Sequence, residues 1–499
     1  MRTRFFSLIA VLIILYADTY QVVSAEQASA RKIRVKILHL NDIYEIAPVN
    51  GGKEGGLARV ATIQKQLVKE NPNLITTLGG DFLSPSALGL AKYKGKHLAG
   101  MQMVNVLNEI GLDYATFGNH EFDLNEDQFL ARLAESEFSW ISSNVLNSNG
   151  KRFEGVHASM VRSFSAKGSD KSFRVGIFGV TLDENKANYV SYADPKVSAG
   201  QELEKLKKLS DFQIALTHQS IIDDVGLVEA YPEIDLVLGG HEHRNYQRWR
   251  GDFTPILKAD SNARTAYIVD LVFDPDATET SIKATLLPIN EGFEEDIAVK
   301  KVVDQWVGIA FKGFREEGWD PNLVVTISSK VLDGLSRHVR VGPTNLTDMI
   351  AEALLNSYSE AELSIFNSGS IRIDDLLPAG KITGYDIIRV LPFKGQVQLF
   401  EIKGELLKRV LDQGVKNAGT GGFLQYGNIQ RDDGHWMVNA EQIVDGRLYK
   451  AAINDYLVSG KERNLDYFTT KNPGLTLLET ENRLSVKRQL IKYLKERGD

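Results

Sequence analysis

The feature that most constrains the fold is a phrase repeated along the first half of the chain: a short apolar run ending on a polar, metal-capable side chain. Ile33–Leu40 runs into Asn41-Asp42-Ile43-Tyr44, and Leu74–Leu78 into Gly79-Gly80-Asp81. Asp113–Phe117 leads to Gly118-Asn119-His120-Glu121, Phe212–Thr217 to His218, and Ile234–Leu238 to Gly239-Gly240-His241-Glu242-His243. Runs of this length and composition predict buried strands. Between the first two, Leu57, Val60, Ala61, Leu67 and Val68 recur at helical spacing until Asn71-Pro72 stops them. Ligands in open α/β sheets bind outside the carboxyl ends of strands, so the expectation is an α/β fold whose strand tips converge on one place. Arg174–Val180 predicts a further strand, with no chemistry assigned to its end.

At 499 residues the chain exceeds what one core supports, so two domains are expected, with three as the alternative. The pattern changes between Glu291 and Gly318. There Ile297, Val299, Val302, Val303, Trp306 and Ile309 predict a helix, closed by Asp320-Pro321-Asn322. The expected division is a metal-binding domain over 31–295, a linker helix over 296–325 and a mixed α/β domain over 326–499. In the last of these, helices are predicted over Thr347–Tyr358 and Glu405–Gln413, and strands over Leu363–Phe366 and Gln396–Ile402.

Arg2 and Arg4 precede an apolar run from Phe5 to Ala17, and Val23-Ser24-Ala25 offers small residues for cleavage. Residues 1–25 read as a signal peptide, which predicts a secreted or periplasmic protein; an uncleaved N-terminal anchor is the competing reading. No later run is long enough to cross a bilayer, so no membrane association is expected once the signal is removed. The chain has no cysteine, which excludes disulfides and thiolate ligands together. Any metal must be held by oxygen and imidazole donors. A net charge of −7 argues against nucleic acid as a partner and leaves small polar substrates open. Asn345-Leu346-Thr347 is a glycosylation sequon, a triplet that often arises by chance.

The densest stretch is Phe117-Gly118-Asn119-His120-Glu121-Phe122-Asp123. The Asn119 amide oxygen suits a hard cation, and the His120 imidazole moves protons near neutral pH. Asp123 has two readings: it orients His120, or it caps a helix running through Phe129, Leu130 and Leu133 with Glu126 closing a capping box. Each residue alone is weak evidence, since a lone His or Asp at a strand end is more often structural. The ordered set is stronger. Asp42, Asp81, Asn119, His218, His241 and His243 supply donors for two divalent cations, with Asp81 as the natural bridge. Two such ions, roughly 3.5–4 Å apart, clamp the attacking and leaving oxygens of a phosphoryl displacement and generate hydroxide at neutral pH. Manganese, zinc and iron all suit this donor set.

The order Asp-x-Tyr, Gly-Asp, Gly-Asn-His-Glu, His, Gly-His-x-His resembles the calcineurin-like metallophosphoesterases, and Gly118–Asp123 resembles their 5′-nucleotidase branch. The resemblance implies a metallophosphoesterase-type sheet sandwich flanked by helices, followed by a substrate-binding domain. It implies that Asp42, Asp81 and His243 hold one ion and that Asp81, Asn119, His218 and His241 hold the other. His120, oriented by Asp123, would stabilise the transition state or protonate the leaving oxygen. In the second domain, Arg340-Val341-Gly342-Pro343-Thr344-Asn345-Leu346 is similar to the family's phosphate-side arginine segment, with Pro343 where an acidic or amide residue is usual. Asn367-Ser368-Gly369-Ser370-Ile371-Arg372, Leu391-Pro392-Phe393 and Gly421-Gly422-Phe423-Leu424-Gln425 are similar to further family segments. Arginine suits phosphate because its planar fork donates two parallel hydrogen bonds. Phe423 is a candidate for stacking on a base, its competing reading being a core residue.

Two departures stand out. The first motif usually reads Asp-x-His, whereas here it is Asp42-Ile43-Tyr44. Tyr44 would ligate a ferric ion as phenolate, hydrogen-bond a water on the metal, or point away; the second use is favoured. The usual Gly-Gly-Asp-Gly segment is replaced by Ser459–Phe468, where Tyr456, Tyr467 or Phe468 would supply a second stacking ring and Asp466 would reach a ribose hydroxyl. The expected substrate-binding set is therefore Arg340, Asn367, Arg372, Phe423, Tyr456 and Phe468. The function expected is an exported two-metal phosphohydrolase acting on a small phosphate ester, first of all a nucleotide. The alternatives are a phosphodiesterase or sugar-nucleotide hydrolase on the same ions, and an inactive secreted binding protein. Glu121 receives no physical role.

Overall fold

The computed structural model describes residues 32–166, 170–478 and 484–497. The signal-peptide segment, 1–25, lies outside them. The chain divides into two compact units. One comprises the chain up to Pro48 with Gly52–Pro85 and Ala99–Trp306; the other comprises Val49–Gly51, Ser86–Leu98 and everything from Val307 onward. The division falls inside the helix Ile297–Glu316.

The first unit is a sandwich of two sheets. In one, Ile33–Leu40 pairs in parallel with Leu74–Leu78, which pairs in parallel with Tyr114–Ala115, and on the other side Thr265–Asp274 and then Glu279–Pro288 add antiparallel. In the second, Ser172–Thr181, Phe212–His218, Leu236–Gly239 and Pro255–Lys258 run parallel to one another. Ile37, Ile75 and Val269 of the first sheet and Ile177, Ile214 and Leu238 of the second share one buried core. Parallel strands covered on both faces must be apolar throughout, and Leu74–Leu78 and Phe212–His218 are buried at every position. The outer face of the second sheet is covered by Pro195–Leu209 and Ile221–Ala230, whose Leu203, Leu206 and Leu227 pack on Phe178, Ala215 and Val237. Both helices are capped as their sequences dictate, by the side chains of Asp194 and Ser220.

The predicted strand Asp113–Phe117 is shorter than its apolar pattern. Only Tyr114–Ala115 pairs, because the chain leaves the ladder to turn into the strand tips. Leu57–Glu70 forms the expected helix and stops at Asn71.

The second unit carries its own sheet, ordered Leu424–Gly427, Leu363–Asn367, Leu448–Asn454, Gln396–Lys403, Leu475–Leu477. Helices Asn345–Leu355, Gly384–Val390 and Val486–Arg497 bury Ile350, Ile387 and Leu490 against Phe366 and Val397. Helix Gly404–Lys416 buries Leu407 and Val410 against Ile365, Phe400 and Ile402. Strict alternation along strands separates these two cores.

Candidate metal and active site

The parallel strands of the first unit end where the sequence phrase ends, so their tips deliver Asp42, Asp81, Asn119, His218, His241 and His243 to one end of the sandwich. Ligand atoms of Asp42, Asp81 and His218, all buried, lie within 4.8 Å of one another. The turns that do this are unusual. Asp42 (φ 53°), Asp81 (φ 57°), His241 (φ 96°) and His243 (φ 58°) all adopt left-handed backbone, which L-residues occupy at a cost and mostly where function over-determines it. Two glycines let the loops close up. Gly80 has φ 82°, and a Cβ on Gly118 would sit 2.1 Å from Asp81 Oδ1.

Three of the donors, His218, Asp42 and Asp81, are aimed by further contacts. The His218 ring places Nδ1 2.7 Å from the carbonyl of Gly79, which leaves Nε2 facing Asp81 Oδ2 at 3.3 Å. Asp42 Oδ2 accepts from the His241 backbone N–H and the Asn41 amide, both at 2.8 Å. Asp81 Oδ1 accepts the His120 N–H at 2.8 Å. Asn119 Oδ1 is buried with no hydrogen-bond partner, and His218 Nε2 is buried facing only the Asp81 carboxylate, an arrangement that a cation among these donors would satisfy. These observations fit a metal centre of oxygen and imidazole donors.

Electrostatics set the two buried imidazoles apart: burial would lower His218, but the Asp81 carboxylate, then Asp42, outweigh it and raise His218 to about 10. Burial alone would raise Asp81, but the charges of His218 and His120 outweigh it and hold the carboxylate far below its ordinary range. Burial, with repulsion from His218, takes His241 down to about 3, so its imidazole is neutral and able to ligate.

Tyr44 points inward. Its hydroxyl lies 2.9 Å from His243 Nε2, 3.1 Å from Asp81 Oδ2 and 3.4 Å from Asp42 Oδ1, which removes the reading in which it faces away. Burial, then the charges of Asp81 and Asp42, push the phenol well above its ordinary value.

His120 Nδ1 lies 2.8 Å from Asp123 Oδ2, and Asp123 in turn accepts from Ser84 Oγ at 3.1 Å and Asn185 Nδ2 at 2.5 Å. The capping expectation for Asp123 is corrected. Asp123 closes a short 3-10 turn, while Asn125 caps helix Glu126–Glu135, with Gln128 completing the capping box. The chain needs two extra residues to turn from the site into the helix.

Glu121 does have a role. Fully buried, it accepts backbone N–H groups of Asp81 (3.0 Å), Phe82 (2.8 Å), Leu83 (3.2 Å) and Gly118 (2.6 Å), and so ties two of the donor-bearing loops together. Burial and the nearby Asp81 push its carboxyl up to about 7. Phe117 and Phe122 brace the same loop from behind, with ring centres 5.5 Å apart and Trp140 stacked 4.7 Å from Phe117. Another unforeseen residue is Lys258. Buried completely, it donates to the Gln219 carbonyl and to Glu242 Oε2, both at 2.6 Å, and pairs with Asp224 at 2.8 Å. It thereby joins the loop after His218 to the loop bearing His241 and His243. His39, also buried, is no ligand: its ring bridges Thr77 Oγ1 and the Gly239 carbonyl.

Residues 35–245 match the family described as calcineurin-like phosphoesterase, and residues 324–470 match the family described as 5′-nucleotidase, C-terminal domain. The chain belongs to the 5′-nucleotidase branch of the calcineurin-like phosphoesterases. Branch members are metal-dependent phosphoric ester hydrolases, and this chain is one of them. It is 24% identical to the 5′-nucleotidase of Bos taurus over 87% of its own length and 84% of that protein. It is 27% identical to the trifunctional nucleotide phosphoesterase protein YfkN of Bacillus subtilis (strain 168), over 79% of this chain but only 28% of that longer protein. In fold it is similar to a 5′-nucleotidase precursor from Thermus thermophilus, with a TM-score of 0.76 and 20% identity over 93% of this chain and 96% of that one.

In the second unit, the family-like segments are knitted together. The N–H of Gly419 donates to the Arg340 carbonyl at 2.8 Å, that of Gly369 to the Gly421 carbonyl at 2.8 Å, and that of Ser368 to the Phe423 carbonyl at 2.8 Å. The Gln425 amide holds the carbonyls of Val339 and Gly342 at 2.7 and 2.9 Å. Arg340 and Arg372 are partly exposed, and the Arg372 guanidinium sits 5.4 Å from the Phe393 ring centre. Phe423 is partly exposed and Tyr456 exposed, so both keep ring surface for a ligand.

Three expectations for this unit are corrected. Phe468 is fully buried in the core beside Leu407 and Val410 and has no face to offer a base. The Tyr467 ring is covered by Arg409 at 3.7 Å. Asn367 is buried and engaged: its amide donates to Glu462 at 2.7 Å and its oxygen accepts from Ser370 and Asn454 at 2.6 and 3.0 Å. It shapes the segment carrying Arg372 rather than reaching outward. Glu462 belongs to the stretch that departs from the family pattern, and this buried contact is what that stretch supplies.

Proposed function

We propose that this protein is an exported nucleotidase that releases phosphate from nucleotides with the help of two divalent cations, manganese, zinc or iron. The buried cluster of Asp42, Asp81 and His218, with His241 and His243 beside it and the buried Asn119 oxygen lacking a hydrogen-bond partner, carries the reading. Asp42, Asp81 and His243 would hold one ion, and Asp81, Asn119, His218 and His241 the other. When bound, such ions supply Lewis acidity toward the phosphoryl oxygens and activate the attacking water.

The protein's own groups do the rest. His120, held by Asp123, offsets charge on the leaving oxygen and donates a proton to it. Asp123 is fixed by Ser84 and Asn185, so the imidazole needs no reorganisation in the transition state. Tyr44 stays a phenol and hydrogen-bonds the carboxylates that hold the ions. Arg340 and Arg372 grip the substrate through charge-assisted hydrogen bonds, and Phe423 and Tyr456 take the base. The names of the relatives, 5′-nucleotidase and nucleotide phosphoesterase, support nucleotides as the substrate class. The apolar segment after Arg2 and Arg4 supports export to a secreted or periplasmic location.

Phosphate release from AMP, ADP, a cyclic nucleotide, a sugar nucleotide and a generic diester, each with manganese, zinc and iron, tests this directly. Release from AMP is expected. Turnover of the diester or sugar nucleotide alone would replace the nucleotidase reading, and turnover of none would end the enzyme reading.

A further inference from the structure

The second unit contains a cavity of about 790 Å³ that the proposed reaction leaves unused. All its lining residues belong to that unit. Phe314, Pro392 and Phe393 contribute apolar wall, and Lys394, Lys487 and Arg488 make one part of it cationic. Among the described residues of the wall the only carboxylate is Glu317, which is paired with Lys92 at 2.8 Å. Among the described residues, no carboxylate lies within ion-pair distance of Lys394, Lys487 or Arg488.

Lys487 is the informative group. It is 8% exposed, yet its ammonium makes a single hydrogen bond, to the Pro392 carbonyl at 3.0 Å. An ammonium has three donors, and burying a charge without compensation is costly. Burial first, then repulsion from Lys394, pull Lys487 down to about 8 against the weaker attraction of Glu317. The Trp319 ring does not compete for a planar ligand, because Lys487 and Arg488 already lie 5.5 and 5.4 Å from its centre. A cluster of this kind is completed by an anion.

We propose that this cavity binds a small phosphate-bearing molecule, its phosphate held by Lys394, Lys487 and Arg488 and any organic body lying along Phe314 and Pro392. A phosphate dianion matches several neighbouring cations better than a monocarboxylate does, and it accepts hydrogen bonds from all of them. The volume lies within the usual range for organic ligands, about 300–1,000 Å³, and exceeds what inorganic phosphate fills. Phe393 is shared with the substrate segment through its contact with Arg372, so the cavity and Arg372 adjoin.

Calorimetric titration of the metal-loaded full-length protein with inorganic phosphate, with phenylphosphonate and with acetate tests the proposal. A binding event is expected for phosphate or phosphonate that survives Arg340→Ala. It should weaken about tenfold or more, the loss of one charge-assisted hydrogen bond, in Lys487→Met and in the doubly substituted Lys394→Gln/Arg488→Gln protein. Lys394 and Arg488 are exposed, so the double variant guards against a folding artefact in Lys487→Met. Tighter binding of phenylphosphonate than of phosphate would identify an organic phosphate, and the reverse order the free ion. No cavity-dependent event for either probe, or equal binding of acetate, would overturn the proposal.

Discussion

Glu121 Oε2 accepts the backbone N–H of Asp81 at 3.0 Å across 40 positions of sequence. The residue proposed to bridge two cations is thus placed by a carboxylate whose two oxygens are both taken up by backbone N–H groups.

Replacing Glu121 by Ala strands the N–H groups of Asp81, Phe82, Leu83 and Gly118. Each unsatisfied buried donor costs about 1–3 kcal/mol, so a loss of about 3–5 kcal/mol is expected in urea unfolding. Glu121→Gln, which keeps one acceptor oxygen, should fall between, and metal affinity measured by calorimetry should decline in the same order. Wild-type stability in Glu121→Ala would refute the bracing role.

Lys258→Met leaves Asp224 and Glu242 facing each other without their cation. Breaking a buried ion pair from one side costs about 3–5 kcal/mol. Because the same ammonium joins the loops carrying His218, His241 and His243, metal release on dilution should also quicken. Unchanged metal retention alongside lost stability would confine Lys258 to the fold.

His120→Ala is expected to lower kcat by about 10²–10⁴ with little change in KM, as for a group acting on the leaving oxygen. Asp123→Asn should cost less, because the imidazole remains. Steady-state kinetics on AMP separates these outcomes from an equal loss in binding and turnover, which would count against the assigned role.

Phe423 and Phe468 should behave oppositely. Loss of a base stack is worth about 1–3 kcal/mol, so Phe423→Ala should raise KM about tenfold or more at unchanged stability. Phe468→Leu should instead destabilise the protein by about 1–3 kcal/mol with KM unaltered. Paired thermal melts and kinetics read both.

Asp235 lies away from the metal donors, and burial raises its carboxyl to about 6. A carboxyl raised in the folded state favours folding while protonated, below its unfolded range, and that contribution is lost as pH rises through about 6. Asp235→Asn, still able to accept the Gln213 N–H, should therefore match wild type near pH 4 and exceed it at pH 7 by about 1–3 kcal/mol. Unfolding curves at the two pH values check the sign.

The strands ending at Leu40, Leu78 and His218 were legible because apolar runs and their terminating residues are local properties of the chain. The meeting of Asp42, Asp81 and His218 was legible for the same reason, since residues that end neighbouring parallel strands come together at one end of the sheets. Asp123 was half legible: an acid before an apolar run reads equally as a cap, and only the fold put it beside His120 and set Asn125 at the helix start. Phe468 misled because an aromatic in a divergent stretch carries no mark of whether it faces in or out.

The sequence by itself determined which candidate donors stand at the strand ends, through residue type and position at the ends of apolar runs. Only the tertiary structure decided how they are held. Glu121 with Asp81, Lys258 with Glu242 and Glu462 with Asn367 are pairings between segments distant along the chain. Buried charges and amides find such partners only when packing brings the segments together, and no local pattern records that meeting.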